Sequence, residues 1–262
     1  MNRALIATFN ETYKGLQIQW SYRFNMIGEL LTIGFVFIGI AFFMGNGRLD
    51  SANLSSAFLG YIIWFYALTA ISNMAWGLRE EMQSGTMEQM YMSPAPVGLI
   101  LLGRTLANMI ITTIMVTLMS IPLMLLLQIR LPLPMAGLPV FILTLAGLYG
   151  FGYIIGGAVL IFKQVETFAN LIQNMLLFVN GSFLPVTRLP GWLALLAKTL
   201  PSTQGIIVLR RVLLDNQSLA AVWQDGSLVW LTVHSALYFF GGLAIFSFCE
   251  RVAKRRGSLG QY

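Results

Sequence analysis

Long apolar runs broken by short polar intervals set the plan of this chain. A helix needs about 20 mostly apolar residues to cross the hydrocarbon core of a bilayer. In lipid, a helix is one of the few structures that satisfies all of its own backbone groups. Runs of that kind are expected at about 24–44, 55–77, 99–127, 138–162, 167–186 and 228–249. Polar turns separate the first run from the second (45–53) and the third from the fourth (128–137). Only Lys163, Gln164, Val165 and Glu166 join the fourth to the fifth. Pro122 is expected to kink the third run near one end. The pattern predicts an all-α integral membrane protein with six transmembrane helices within 24–262. An even number of crossings puts both termini on one side.

Two further segments are apolar without being spans. In 1–23, Leu5, Ile6, Phe9, Tyr13, Leu16 and Trp20 lie on one helical stripe, with Arg3, Asn10, Glu11, Lys14 and Gln17 elsewhere. That pattern predicts an amphipathic helix lying in the membrane interface, with Trp20 and Tyr22 at headgroup depth. It lacks the short apolar core and small-residue cleavage site of a signal peptide. The second segment is 187–227, where Pro185, Pro190 and Pro201 punctuate apolar runs too short to cross. A pair of re-entrant or interfacial helices within 187–216 is expected there.

Composition agrees with this plan. Hydrophobic residues make up 57% of the chain and charged residues 10%, against roughly 25% charged in soluble domains. One cysteine, Cys249, permits no internal disulfide. The net charge of +6 reads as topology, with no need for a nucleic-acid partner. Arg3, Lys14, Arg23, Arg79, Arg104, Lys163, Arg251, Lys254, Arg255 and Arg256 fall on one side. Outside the long 187–227 interval, only Arg48 and Arg130 fall on the other. The excess of basic residues marks the cytoplasmic side. Both termini and the 79–92 interval are therefore expected in the cytoplasm of a multi-pass plasma membrane protein. The C-terminal basic cluster can also meet anionic lipid headgroups.

The polar interval over 76–98 is the most distinctive stretch. Arg79, Glu80, Glu81 and Glu88 crowd between two spans. Met82, Thr86 and Met90 recur every four residues with Met87 beside them, predicting a short amphipathic helix over 79–92. Gly85 and Thr86 suit a close approach or a local cap. Ser93, Pro94, Ala95 and Pro96 then stop the helix.

Glu80, Glu81, Gly85-Thr86, Glu88 and the Ser93-Pro94 stop resemble the loop between the second and third spans of ABC-2 type permeases, the membrane halves of ABC exporters in the class that includes the ABCG-like proteins. The resemblance implies a cytoplasmic coupling helix that docks into an ATPase subunit through Arg79, Glu80, Glu81, Gly85, Thr86, Glu88 and Met90. It also implies two ATPase copies and a second permease, either an identical copy or a related one. Bacterial-type inner membranes are the expected setting. Pro201-Ser202 with Arg210-Arg211 is similar to a family segment on the outer side, although serine and threonine stand where the family often has asparagine or aromatic residues. The phosphate-cradling G-x-x-x-x-G-K-[ST] loop does not occur in the sequence. No catalytic activity and no bound cofactor are expected of this chain, with ATP and Mg²⁺ on the partner ATPase.

Polar groups inside a membrane are costly and usually face protein or water. Tyr66, Thr69, Asn73 and Trp76 fall at helical spacing in the second run, as do Asn170, Gln173 and Asn174, with Asn180 nearby, in the fifth. In the ABCG-like arrangement these two spans line the central pathway, so the residues are candidates for its walls. Interhelical hydrogen bonding is the competing reading. Glu29 can snorkel or meet Arg23. His234 suits a helix–helix hydrogen bond. The glycines at 147, 150, 152, 156 and 157 suit close helix packing within one chain. The expected function is outward movement of a hydrophobic or amphiphilic cargo, such as a drug, natural product, lipid or glycolipid, by alternating access. The alternatives are a secondary transporter independent of ATP and a membrane scaffold for a cytoplasmic partner.

Overall fold

The computed structural model describes residues 3–44, 51–92, 97–132, 134–162 and 164–256. The expected turn at 45–53 (as far as 50), the 93–96 helix stop, Lys163 and the end of the tail lie outside them, as does the side chain of Glu88. Every regular element among the described residues is helical: α1 Arg3–Ser21, α2 Arg23–Met44, α3 Ser51–Gln83, α4 Thr86–Met92, α5 Val97–Leu127, α6 Gly137–Phe162, α7 Glu166–Val179, α8 Gly191–Thr199, α9 Pro201–Leu213, α10 Leu219–Gln224 and α11 Ser227–Arg256. α2, α3, α5, α6 and α11 are long and apolar enough to cross a membrane, and the consecutive helices α8 and α9 meet at 88°. The chain is a multi-pass membrane protein.

α3 is the centre of the bundle. Phe58, Tyr61, Phe65, Tyr66, Ile71 and Leu78 are fully or almost fully buried along it, and α5, α6, α7 and α9 all pack on it. On its far side, α6 joins α11 through glycine. A Cβ on Gly242 would sit 2.1 Å from the Gly150 carbonyl oxygen, and one on Gly150 would sit 2.4 Å from the Tyr238 backbone. Gly152 likewise faces the Ala70 carbonyl on α3. Only residues without a side chain let three helices approach this closely, and the fourth-run glycines do their packing within one chain, as expected. α1 lies along α5 and leaves Phe9, Tyr13 and Trp20 exposed. Pro122 sits inside α5, which remains one helix.

The fifth run departs from its expected bounds of 167–186. α7 stops after 14 residues, a rise of about 21 Å, short of a ~30 Å core. The stop is built locally. Asn180 Oδ1 accepts from the Ser182 backbone N–H at 2.9 Å, competing with continued helix. Gly181 takes φ 86°, a left-handed conformation that glycine adopts without strain. Pro185 then directs the chain into a short 3₁₀ turn, Val186–Arg188. The expected pair of short helices follows as α8 and α9, with Pro201 at the start of α9.

Candidate functional site

α3 is 33 residues long, about 50 Å. Its last turn carries the charged interval out of the apolar bundle. The chain reverses at Ser84 and Gly85, the latter at φ 71°, and restarts as α4. Ser84 closes the end of α3 by donating its N–H to the Glu80 carbonyl at 2.9 Å and its hydroxyl to the same oxygen at 2.7 Å. The interval over 79–92 is thus the end of α3, a turn and a seven-residue helix.

This break reorients the apolar stripe. Met82, Met87 and Met90 are buried and join the main core. Thr86 is exposed instead of completing the four-residue repeat, because α4 does not continue the register of α3. The outward surface is polar: Glu80, Gln83, Ser84, Gly85, Thr86 and Gln89 are all exposed.

Two ion pairs and a cation–π contact tie the turn to three other helices. Arg79 pairs with Glu166 at the start of α7. Arg104 of α5 pairs with Glu81 at 2.9 Å, and Thr86 donates its hydroxyl to the same carboxylate. Lys254 of α11 lies 4.3 Å from the centre of the Tyr91 ring and pairs with Glu250 at 2.9 Å. Burial, and then the Glu250 carboxylate, push the Tyr91 phenol above its ordinary pKa. Arg79, Glu81 and Met90 therefore serve the protomer's own packing, while Glu80, Gly85 and Thr86 face outward. Arg104 and Glu166 were not among the sequence candidates. Their signal was present, since each is an isolated charge at a span end facing the charged interval.

The two candidate wall stripes divide in the same way. Tyr66 is 1% exposed and donates its hydroxyl to Thr113 of α5 at 2.9 Å. Thr69 donates to its own helix at Tyr66. Asn73 turns toward α5, beside Arg104 and Asn108. Trp76 is exposed. On α7, Gln173 is buried and donates to the Ser72 hydroxyl at 3.0 Å, and its carbonyl accepts from the Trp64 indole at 2.8 Å. Asn180 is fully buried in the turn that ends the helix. Asn170 and Asn174 are exposed, flanked by Leu171, Met175 and Phe178. The stripe that meets α7 is Trp64, Leu68 and Ser72, spaced by four on α3. It was legible from that spacing but masked by the better-known polar types one face away. The side chains brought to the open surface are Trp76, Asn170 and Asn174.

Glu29 is also exposed, lining a hollow of about 580 Å³ with Phe24, Thr32 and Leu68. Arg23 reaches back to the Trp20 carbonyl at 3.5 Å; among the described residues it makes no ion pair with Glu29. His234 stacks on Trp230 at 5.8 Å and meets Tyr238 edge-on at 5.0 Å. Among the described residues no group of three or more metal-ligating side chains comes together.

At the opposite end of the bundle, Arg210 of α9 enters the protein. Its guanidinium donates to the Ser56 carbonyl at 2.9 Å and the Ser182 carbonyl at 2.7 Å, fastening α9 to α3 and to the turn after α7.

A search of curated proteins finds no match. A family profile described as ABC-2 family transporter protein matches residues 45–244, which cover α3, α5 and α6, the charged turn and the first part of α11. Such permeases are the membrane-embedded, generally non-catalytic subunits of ABC systems and associate with an ABC ATPase. The chain belongs to the ABC-2 transporter family.

Proposed function

We propose that the chain is the permease half of an ABC exporter and that the outward face of the 79–92 turn is where its ATPase docks. The observation carrying this reading is the way the turn is built. It ends a continuous 33-residue helix and is bound to α5 and α7 through Glu81–Arg104 and Arg79–Glu166. A push on the turn is then delivered to several helices at once. The turn presents an exposed polar surface to a partner, with Glu80 and Gln89 as the main docking residues and Thr86 beside them, its hydroxyl held by Glu81. Glu81 acts as the internal tie, and Gly85 supplies the reversal.

On this reading both termini and the turn are cytoplasmic in an inner-membrane protein, and two permeases face each other above two ATPases. ATP and Mg²⁺ bound to the partner supply the energy. Closure of the partner subunits draws the two turns together. α3 transmits that motion as a rigid rod, and the cleft between permease halves changes the side to which it opens. Trp76, Asn170, Asn174 and the apolar side chains around the two amides line the cleft. An apolar wall with amide groups suits a hydrophobic or amphiphilic cargo. The ligand acts through its differential contacts with the two states.

The test is co-purification from native membranes in mild detergent. Glu80→Arg combined with Gln89→Arg, both at exposed positions, is expected to lose an ATPase subunit that accompanies the wild type, with the permease's thermal midpoint unchanged. Retention of the ATPase by this variant, or its absence from the wild type, overturns the docking assignment.

A further inference from the structure

A concavity with a mostly apolar lining plays no part in ATPase docking or in the cleft walls. It measures about 420 Å³ and lies between α3, α5 and α6, with α9 as its floor. That is within the range of sites that enclose small apolar ligands. Its walls include Phe58, Ile62, Val116, Phe141 and Leu213, and its rim includes Leu131, Pro134 and Met135.

Three features mark it as a built site. Ser120 lines it, is 9% exposed, and its hydroxyl has no hydrogen-bond partner among the described residues. An unpaired buried hydroxyl is costly, and a ligand acceptor would satisfy it. Arg130 is exposed beside Leu131 on the rim. Its carbonyl accepts from the Ser55 hydroxyl at 3.0 Å, and the Ile129 N–H donates to the Met124 carbonyl at 3.1 Å. The backbone that carries Arg130, next to the lining residue Leu131, is therefore fixed. A second hollow, about 360 Å³ between α2 and α5, is lined by apolar residues and glycine and proline only. It offers no comparable polar anchor.

We propose that the 420 Å³ cavity is a binding site for an anionic glycerophospholipid of the surrounding membrane. One acyl chain fills the groove along Ile62, Val116 and Phe141. An ester carbonyl accepts from Ser120. The headgroup phosphate meets Arg130. The buried unpaired hydroxyl of Ser120 inside the hollow and the basic residue next to its rim favour a lipid over the side chains of a second copy. The site lies apart from the 79–92 turn, so it stands or falls independently of the ATPase reading.

The experiment uses the full-length protein in nanodiscs of phosphatidylcholine doped with a diazirine-acyl probe, either phosphatidylglycerol or phosphatidylcholine. Adducts are mapped by mass spectrometry. The phosphatidylglycerol probe is expected to label the cavity walls about fivefold more than the phosphatidylcholine probe, the preference one basic residue near the surface confers. Arg130→Glu removes that preference. Ser120→Phe, which fills the groove, abolishes cavity labelling while the α2–α5 hollow is labelled as before. Ser120→Ala keeps the space and lowers labelling only in part, so a folding defect in the phenylalanine variant cannot imitate the result. Equal labelling by the two probes, or cavity labelling no greater than in the α2–α5 hollow, overturns the proposal. So does loss of labelling when ATP drives the assembled transporter, which assigns the cavity to cargo. A cysteine cross-link between two copies through Met135 assigns it to a dimer contact and also overturns it.

Discussion

The two ends of the bundle hold their helices together by different balances of contact. At the end bearing the 79–92 turn, charges are paired, partly exposed and shared among α3, α5 and α7, with Lys254 of α11 over the Tyr91 ring. At the other end a partly buried arginine is spent on two backbone carbonyls, beside the ion pair of Arg211 with Asp225. Pairs of the first kind are weak one at a time and can be exchanged for contacts with a partner. A partly buried cation that has no counter-charge among the described residues has less to exchange, because moving it leaves carbonyls without their donor. The difference teaches where motion can start. The turn can be driven, and the α9 end serves as the fixed point against which α3 moves.

The largest expected effect comes from the fixed end. Arg210→Met should cost about 3 kcal/mol or more, since it strips two interior carbonyls of their donor. A large fall in the thermal midpoint in detergent checks it. A midpoint within a degree of wild type would remove α9 as the anchor. Next in size is the glycine seam. Gly242→Ala puts a methyl 2.1 Å from the Gly150 carbonyl oxygen. Forcing α6 and α11 apart should cost about 1–3 kcal/mol. Gly241→Ala, one position away with open space around its Cβ, is the matched control and should be close to neutral.

The paired end should respond more mildly. A double-mutant cycle on Glu81→Gln and Arg104→Gln should return a coupling of about 0.5–1 kcal/mol, shrinking in high salt as screening rises. A coupling of several kcal/mol would make this end as rigid as the other and erase the contrast. The smallest effect concerns Asp225, which joins the start of α11 to α9. The Ser227 backbone N–H, and then Arg211, hold its carboxyl below the usual carboxylate range. Its folded pKa is depressed, so its contribution is present above the unfolded value of about 3.9 and is lost as pH falls through the folded value. The difference in thermal midpoint between wild type and Asp225→Asn should therefore be slight at neutral pH and vanish in acid.

Much of this was legible in the sequence because the bilayer imposes a strong pattern. The positions of α2, α3, α5, α6 and α11 follow from run length alone, and the glycines of α6 announced their tight packing. What run length could not give was how a run ends. Nothing in hydropathy separates 167–179 from 180–186. The break comes from the Asn180 side chain, the positive φ of Gly181 and Pro185, each acting on local backbone geometry. The charged interval was equally visible, but its facing was not. A four-residue repeat through Met82, Thr86 and Met90 assumes one unbroken helix, and the reversal at Gly85 resets the register, so that methionine faces in and threonine out. Polar wall candidates failed to separate for a related reason. Tyr66, Gln173 and Asn180 have the same chemistry as Asn170 and Asn174, and only the packing of α5 and α7 on α3 decides which are spent on internal hydrogen bonds.

The central claim is that the polar face of the 79–92 turn is the contact with an ABC ATPase. Its most direct test is site-specific photocrosslinking in native membranes, with a benzophenone side chain placed at Gln83 or Gln89 and, separately, at Trp192 in α8 at the opposite end. The account predicts adducts with an ATPase subunit from both turn positions and none from Trp192. No ATPase adduct from the turn, or an equal yield from Trp192, would contradict it.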